Sequence, residues 1–337
     1  MNGVAAAVAT VDYDAWARHP DGTWIPQTSA PEVIQAMLEL LDPCPGQRLL
    51  EVGTGSGYSA ALLAQVLGPQ GRLVSLDVDP GLVERAQRLH RQAGHGQVEV
   101  HRADGFGGWP SAAPFEGIVA WATPHLLPRA WVEQTAVGGT IVTPVEIARV
   151  AAANAVLCCR VAGGEPGEAT LHPGSFVEMA PEVITSPGTP IRHVDAVRPR
   201  GDGAATWISG HRLHGQPPEA LEPLLNVLES AASEPGFLDP EGVEAFTAFV
   251  LAAAADPASA GTPDDYGLGV ATPGGVAVVL HDGTLLAAGS AEARGRLERL
   301  RDRWLELGQP GHRDLVPAFT PSEEGWIVRA LYRPTRG

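Results

Sequence analysis

The sequence contains no lysine, because all 23 of its basic residues are arginine. This absence excludes Schiff-base and pyridoxal-phosphate chemistry, which need a lysine amine, and it excludes the phosphate-binding lysine of a P-loop. The arginines are also outnumbered by 39 acidic residues, which gives a formal net charge of −16. Such a balance argues against a broad nucleic-acid surface, since that surface binds phosphates through many cations. A small local patch of arginines is still compatible with this charge balance.

Cysteine is scarce, and its three positions exclude two kinds of stabilised fold. Cys44, Cys158 and Cys159 cannot build a disulfide framework, and their spacing does not fit a zinc site. His211 and His214 have a helix-like spacing but lack a third ligand nearby, so we expect no metal. We expect a cytoplasmic protein, because cysteines without a disulfide framework fit a reducing compartment. We also expect no membrane contact, because no apolar run is long enough to span a bilayer.

The length of 337 residues exceeds what one hydrophobic core usually supports, so we expect more than one unit. Residues 1–30 are rich in turn formers and predict an N-terminal arm. Regular periodicity covers residues 31–182. The sequence then becomes rich in Pro, Gly and Arg, which marks the start of a second unit over residues 183–337.

Apolar strands alternate with helical periodicity in the first unit. This alternation predicts a doubly wound, mostly parallel α/β sheet, because strands joined by helices pair in parallel. A helix follows Pro31, and two late strands are expected to be antiparallel additions to the sheet. The predicted strands are residues 48–52, 72–76, 98–101, 117–122, 140–145, 151–160 and 175–179.

The second unit predicts a smaller α+β arrangement after a linker at residues 185–205. Its hairpin turns at Asp282-Gly283, which is a strong hairpin signal. The last helix carries five arginines beside an apolar stripe, which predicts a packed amphipathic helix and, as the alternative, a docking surface for an acidic peptide. The predicted elements are helices at residues 218–232, 240–255 and 291–307 and strands at 275–280 and 284–288.

A glycine-rich turn follows the first strand, at the point where a helix begins. Bare glycine backbone and a helix N-terminus suit a nucleotide-like ligand. The dinucleotide fingerprint would need glycine where Tyr58 stands, so a nicotinamide oxidoreductase is only a distant alternative. The stretch reads Glu51-Val52-Gly53-Thr54-Gly55-Ser56-Gly57-Tyr58.

Acidic residues end three successive strands of the predicted sheet and therefore share one edge. Glu51 suits the ammonium of an S-adenosylmethionine ligand, Asp77 suits both ribose hydroxyls, and Asp104 suits the adenine amino group. The plainer interpretation is a glycine turn with solvated acids at the strand ends.

These motifs, with Pro114 to Val119 and Gly138 to Val145, resemble the protein-L-isoaspartate O-methyltransferase family over about residues 24–180. The resemblance implies a Rossmann-like methyltransferase domain over residues 31–182 and methyl transfer to a carboxylate of a peptide or protein that presents Asp or isoAsp. It also implies binding of S-adenosylmethionine by Glu51, Gly53, Thr54, Gly55, Ser56, Gly57, Tyr58, Asp77, Asp104 and Gly105.

The segment Gln27-Thr28-Ser29-Ala30-Pro31 resembles the hydroxyl-bearing active-site segment of the family. It has one apolar residue fewer between the threonine and the serine than the family has. We predict that Ser29 aligns the acceptor carboxylate, with Thr28 as the second candidate. The alternative is that Ser29 caps the helix that opens at Pro31. Ser59 and His125 also lie near strand ends that face the ligand. His125 could line the acceptor pocket, but the plainer interpretation is a solvated loop histidine.

The layout, with a shortened N-terminal part and over a hundred residues after the first unit, is similar to that of the branch that modifies ribosomally made peptides. That resemblance implies methylation of one Asp, followed by cyclisation of the ester to an aspartimide. The alternatives are a general isoaspartate repair enzyme and, from another class, a binding module that keeps the cofactor fold without turnover.

Overall fold

The computed structural model describes residues 3–26, 28–184, 189–200, 204–230 and 234–333. Two short helices form the N-terminal arm, and the side chain of Asp12 caps the second by accepting the Asp14 N–H. The third helix opens with Pro31 in its first turn, where a missing N–H costs nothing. The elements up to residue 172 are α1 (Gly3–Val8), α2 (Tyr13–Ala17), α3 (Pro31–Leu41), β1 (Arg48–Val52), α4 (Tyr58–Leu67), β2 (Arg72–Asp77), α5 (Pro80–Gln92), β3 (Val98–Arg102), β4 (Phe115–Ala120), β5 (Leu127–Pro128), α6 (Arg129–Gln134), β6 (Thr135–Glu146), β7 (Asn154–Ala162) and β8 (Glu165–His172).

The first sheet has seven strands in the order β3-β2-β1-β4-β6-β7-β8. The first five strands of this order are parallel, and β7 and β8 add to them in antiparallel fashion. The predicted doubly wound, mostly parallel sheet is therefore confirmed. The carboxyl ends of β1, β2 and β4 lie side by side, which is where a doubly wound sheet binds its ligand.

The predicted strand at residues 175–179 is wrong. The second antiparallel strand is β8 instead, because Gly163 and Gly164 both have positive φ and turn the chain back at once after β7. Residues 175–179 run as a loop that makes one isolated bridge, between Thr123 and Glu178.

Two cores cover the two faces of this sheet. On one face, helices α1, α3 and α4 bury residues such as Leu38 and Leu62. On the other, strands β4, β6 and β7 contribute Ile118, Ile141 and Cys159. Cys158 packs on the first face and Cys159 on the second, as the alternation of a strand requires.

The second unit is built on a six-stranded antiparallel sheet in the order β14-β13-β12-β11-β10-β9. Alternate residues of β13 face opposite layers: Val276 and Val278 pack with α7, and Ala277 and Val279 pack with α8 and α9. The elements after residue 172 are β9 (Ala196–Pro199), β10 (Ala205–Gly210), α7 (Pro218–Ser230), α8 (Pro240–Ala253), β11 (Pro257–Gly261), β12 (Tyr266–Thr272), β13 (Gly275–Leu280), β14 (Leu285–Gly289), α9 (Ala291–Glu306), β15 (Leu315–Pro321) and β16 (Gly325–Tyr332).

The smaller α+β unit, its hairpin and its three helices are confirmed, and α9 buries Leu297 and Trp304 as an amphipathic helix does. The predicted linker at residues 185–205 is wrong in part, since β9 and the first residue of β10 lie in it. Residues 185–188 and 201–203 of that linker, and the predicted helix end at 231–232, lie outside the described residues. Strands β9, β11 and β12 were not predicted because the Pro, Ala and Gly in them are poor strand formers. Strand β10 was missed although its central residues Thr206, Trp207 and Ile208 favour a strand.

The last two strands form a third, three-stranded sheet with β5, in the order β15-β16-β5, which packs against the core of the first sheet. β15 pairs with β16, and β16 pairs with β5. Trp326, Val328 and Ala330 of β16 enter the same core as Ile118 and Ile141. Across the described ranges, no helix is both long and apolar enough to cross a membrane.

Candidate functional site

The glycine-rich turn joins β1 to α4 and leaves bare backbone at the carboxyl end of the first sheet. Gly53, Gly55 and Gly57 have φ of 94°, 51° and 82°, which glycine adopts without steric cost. A Cβ on Gly55 would meet nothing within 4 Å, so open space borders the turn there. A Cβ on Gly57 would lie 3.3 Å from the Trp16 ring, so this glycine lets the N-terminal arm pack closely.

Glu51 supports the turn from inside the protein. Its buried carboxylate accepts hydrogen bonds from the Ser59 hydroxyl at 2.5 Å, the Ser75 hydroxyl at 2.6 Å and the Trp121 indole at 3.0 Å. Burial raises the pKa of Glu51, and the three donors oppose that rise. The contact of Glu51 with a ligand ammonium stays a prediction; in the structure its carboxylate is held by protein side chains and does not line the cavity described below. Ser59, also expected near the ligand, is one of them.

Three more of the residues predicted to bind the ligand lie within the turn or just after it. The Thr54 hydroxyl is 2.6 Å from the Ser75 hydroxyl, and the Ser56 hydroxyl accepts the Tyr58 N–H at 3.4 Å. Tyr58 is buried, and its ring meets Tyr13 edge-on with 4.9 Å between centroids. These side chains fix the shape of the turn, and the backbone of the glycines remains for a ligand.

Two acids at neighbouring strand ends have different surroundings. Asp77 accepts the Gly55 N–H at 2.9 Å and the Asp79 N–H at 3.0 Å, and burial raises the pKa of its carboxyl. Asp104 is exposed, and its carboxylate accepts the Phe106 N–H at 3.0 Å. Asp77 thus ties the glycine turn to β2, whereas the role of Asp104 toward an adenine stays a prediction.

A cavity of about 470 Å³ opens beside the glycine turn, within the size range of small-molecule sites. Its lining includes residues at the strand ends of the first sheet and residues 177–180 and 182–184. Four carboxylates line it, and none of the Arg or His side chains of the described residues does, so the cavity favours a cationic ligand. The lining includes Gly53, Gly55, Gly105, Trp121, Asp77, Asp79, Glu178 and Glu182.

A buried arginine clamps the glycine turn to the N-terminal arm. The Arg85 guanidinium donates to the carbonyls of Ser56 at 2.8 Å, Trp16 at 2.6 Å and Arg18 at 2.9 Å. Arg85 was not among the predicted site residues. Its signal was available, because Arg85 lies three residues after Leu82 and four before Leu89, on the apolar stripe of α5.

The predicted catalytic residues Thr28 and Ser29 are not in the lining of the cavity, which Pro26 enters just before them. Pro26 lines the cavity, Gln27 is outside the described residues, and the Thr28 hydroxyl donates to the Ile25 carbonyl at 2.8 Å. The Ser29 carbonyl accepts from the Tyr13 hydroxyl at 3.0 Å, and the Ser29 hydroxyl has no hydrogen-bond partner among the described residues.

The alternative role of Ser29 as a helix cap is wrong. Ala30 is the N-cap of α3, and no side-chain hydrogen bond caps this helix. The Ser29 hydroxyl therefore stays available for another partner, whereas the Thr28 hydroxyl is already engaged.

The loop that covers the cavity is fastened by one arginine. Thr123 and residues 177–179 exchange backbone hydrogen bonds of 2.7 Å. Arg192 donates to the Thr123 carbonyl at 2.7 Å and the Met179 carbonyl at 3.0 Å, and it contacts the Glu178 carboxylate at 3.8 Å. Burial raises the pKa of Glu178. Residues 177–179 were predicted as part of a strand, so their place in the cavity lining was not predicted.

His125 lies outside this cavity. It stacks on Phe106 with 5.1 Å between ring centroids and contacts Glu324 at 3.2 Å. His214 contacts Asp195 at 3.3 Å. Within the ranges that the structure describes, no group of three or more His, Cys, Asp or Glu side chains is arranged to hold a metal ion.

Comparison with known proteins agrees with this geometry. Residues 12–158 match the family model of protein-L-isoaspartate(D-aspartate) O-methyltransferase (PCMT). A protein-L-isoaspartate O-methyltransferase of Ignicoccus hospitalis is 41% identical over 118 residues, which are 35% of this chain and 56% of the relative. One of Aeropyrum pernix is 44% identical over 118 residues, which are 35% of this chain and 45% of the relative. The chain spans about half the length of the curated relatives it matches.

A solved structure described as a protein-L-isoaspartate O-methyltransferase shares the fold of both units. The TM-score is 0.50 at 17% identity, and the match covers 97% of this chain and 94% of that one. The Rossmann-like sheet and the added antiparallel sheet therefore occur together in another protein. These findings confirm the resemblance drawn from the glycine turn and strand ends: over residues 12–158 this chain is similar to the protein-L-isoaspartate O-methyltransferase family.

Proposed function

We propose that this protein binds S-adenosylmethionine in the acidic cavity and transfers its methyl group to a side-chain carboxylate of a peptide or protein. The observation that carries the proposal is the cavity itself, with open space at Gly55 and carboxylates from Asp77 and Glu178 in its lining. When bound, S-adenosylmethionine supplies an activated methyl group on a positively charged sulfur. The negative lining of the cavity stabilises that charge before reaction.

The acceptor needs no general base, because a carboxylate is already ionised at neutral pH. The protein has to hold one acceptor oxygen in line with the methyl group and to exclude water. The free hydroxyl of Ser29 suits the first task, since it donates a hydrogen bond without the full ion pair that would blunt the nucleophile. The loop at residues 177–184, held by Arg192, suits the second.

The substrate that we favour is an L-isoaspartyl residue in a polypeptide, which is the substrate class in the names of the relatives. The added second unit no longer argues for a dedicated peptide modifier, since a chain of the same layout carries the isoaspartate name. One observation still favours dedicated modification with aspartimide formation as a second candidate. Thr28 and Ser29 are adjacent, which departs from the family segment and alters the acceptor side of the site.

The test is transfer of labelled methyl to three matched peptides that carry isoAsp, Asp or Asn at one position. Methylation of only the isoaspartyl peptide supports the favoured substrate. Methylation of the Asp peptide, with a product one water lighter than the starting peptide, supports dedicated aspartimide formation. Cofactor binding without transfer to any of the three peptides contradicts methyl transfer to generic polypeptides and leaves either a modifier dedicated to another peptide or the binding module.

The variant Asp77→Asn tests the proposed binding of the cofactor in this cavity. It keeps the side-chain shape but removes the charge that faces the cavity and one acceptor that holds Gly55 or Asp79. We expect S-adenosylhomocysteine to bind about ten- to a hundredfold more weakly by calorimetry, as for loss of a charged hydrogen bond. Unchanged affinity would contradict the placement of the cofactor beside β2.

A further inference from the structure

A cleft of about 400 Å³ lies where the two units meet. The first unit contributes Asn154 of β7 and the loop with Gly174 and Ser175, and the second contributes α8, β12 and β13. Its volume is in the range of small-molecule sites. Among the described residues, its lining and the lining of the cavity beside the glycine turn share no member. The cleft is therefore a separate candidate site.

Aliphatic side chains form the apolar part of the cleft. Val243, Leu251 and Val279 line it and are buried. Leu251 packs in the core of the first sheet, whereas Val243 and Val279 pack in a core of the second unit. Because close-packed cores hold these side chains, the apolar wall is formed before any ligand arrives. It suits the hydrocarbon body of a small molecule.

Polar groups from both units face each other across the cleft. The Tyr266 hydroxyl lies 3.1 Å from the Ser175 hydroxyl, and the Tyr266 ring meets His281 edge-on with 4.8 Å between centroids. Asn154 also lines the cleft, and its Oδ1 is buried without a hydrogen-bond partner among the described residues. Buried oxygens are rarely left unpaired in native proteins. The wall thus includes an acceptor that the described part of the chain does not satisfy.

The cleft is negatively charged at neutral pH. Glu244 lines it and has no ion pair among the described residues. His281 Nδ1 is 2.6 Å from the Asp265 carboxylate, so a protonated His281 is neutralised and a neutral His281 leaves Asp265 charged. Burial lowers the pKa of His312 to about 4, which keeps this histidine uncharged. None of the described arginines lines the cleft, Arg313 included. At least one negative charge therefore remains in either state of His281.

We propose that this cleft binds an organic ammonium ion with an apolar body, whose charge pairs with Glu244 and whose body lies against Val243 and Val279. Glu244 is exposed, which places the ammonium where the cleft meets solvent. A free amine and the amino terminus of a polypeptide share this chemistry. The inference goes beyond the proposed function and does not depend on it, because the cofactor cavity takes no part.

The test is calorimetric titration at pH 8 and low salt with three probes that share an ethylindole body. Tryptamine ends in an ammonium, tryptophol in a hydroxyl and indolepropionate in a carboxylate. We expect tryptamine to bind about three- to fivefold more tightly than tryptophol, as for an exposed ion pair, and indolepropionate to bind most weakly. In Glu244→Gln the preference for tryptamine disappears, while tryptophol still binds. Absence of binding, or equal affinity for the three probes in the wild type, would overturn the site.

Two control variants locate the bound probe. Glu241→Gln removes the same charge from an exposed position of α8 outside the cleft lining, and it should keep the preference for tryptamine. Asp77→Asn changes the other acidic cavity and should also keep it. A preference that survives in Glu244→Gln but is lost in Asp77→Asn would place the probe beside the glycine turn and overturn the proposal.

A fourth probe distinguishes the two sources of the ammonium. Tryptophanyl-glycyl-glycine amide carries the tryptamine skeleton at the amino terminus of a peptide. Affinity equal to that of tryptamine, and weakened by Glu244→Gln, supports a polypeptide amino terminus as the ligand. Binding of tryptamine alone supports a free amine. Peptide binding that Glu244→Gln leaves unchanged would contradict a role of this cleft in recognising the peptide ammonium.

Discussion

At the residue scale, Glu51 shows how a buried acid can support a binding loop. Its carboxylate receives three hydrogen bonds, yet burial raises its pKa above the ordinary 4.5. A raised pKa means that the protonated form is favoured in the folded state, so the stability it contributes is present at acid pH and is lost as the pH rises through the folded pKa.

Glu51→Gln should therefore gain stability relative to the wild type as the pH rises from 5 to 8. The amide can keep the network: its oxygen accepts from Ser59 and Trp121, its NH₂ donates to the Ser75 hydroxyl, and Ser75 then donates to Thr54. Urea denaturation at several pH values measures this difference. Glu51→Ala is the control, and it should be less stable at every pH because it leaves buried donors unpaired. A pH-independent difference between the wild type and Glu51→Gln would contradict the ionisation argument.

Ser29 and Thr28 form a natural pair of variants because one hydroxyl is free and the other is engaged. Ser29→Ala should lower kcat on the order of a hundredfold and leave cofactor affinity unchanged, since alignment of the acceptor is lost. Thr28→Val removes the hydrogen bond to the Ile25 carbonyl and should act mainly on stability. Steady-state kinetics and calorimetry on both variants separate the roles. A larger loss of kcat in Thr28→Val would reverse the assignment.

Residue identity could predict where the site lies but not the direction of each side chain. The strand-end positions of Glu51 and Asp77 follow from periodicity, and both residues are at the predicted edge. The hydrogen-bond partners of Glu51 include Ser75 of β2 and Trp121, which follows β4. Only tertiary packing brings those together, so the inward turn of Glu51 could not be seen in the sequence.

At the element scale, the start of α4 couples the glycine turn to the N-terminal arm. Gly57→Ala should destabilise the protein for two reasons. An alanine in the left-handed region costs roughly 1–2 kcal/mol. Its Cβ would also lie 3.3 Å from the Trp16 ring. Gly46→Ala is matched, because Gly46 has the same φ of 82° and nothing within 4 Å of its Cβ position. Denaturation of both variants isolates the contact, and hydrogen exchange should rise over residues 12–18 in Gly57→Ala alone. Equal losses would show that the arm does not depend on this contact.

Elements with strong periodicity were predictable, and those without it were not. The helices α3, α5 and α9 and the strands β1 and β13 have apolar residues at regular spacing and lie where the pattern puts them. Strand β11 reads Pro-Ala-Ser-Ala-Gly, whose small residues carry no strand signal. Its backbone forms a strand because β10 and β12 lie on both sides of it.

At the scale of the whole molecule, the two units share contacts that a boundary drawn at residue 182 would cut. The core of the first sheet includes Ala248 and Leu251 of α8 and Trp326 of β16. The backbone of Ala151 is held by two serines of the second sheet. The Ser209 hydroxyl accepts the Ala151 N–H at 2.9 Å, and the Ser259 hydroxyl donates to the Ala151 carbonyl at 2.7 Å. The predicted boundary stays a proposal, and this junction is where it can be tested.

Ser259→Ala should destabilise the whole chain by about 1–3 kcal/mol, because it leaves a buried carbonyl unpaired between the two units. Ser230→Ala is the control, since the Ser230 hydroxyl bonds only to carbonyls of its own helix at an exposed position. Calorimetry should show one unfolding transition for the wild type, because both units contribute to one core. In Ser259→Ala the transition moves to lower temperature as a unit. Two separate transitions in the wild type would mean that the units unfold independently, and the second unit could then act only as an attached module.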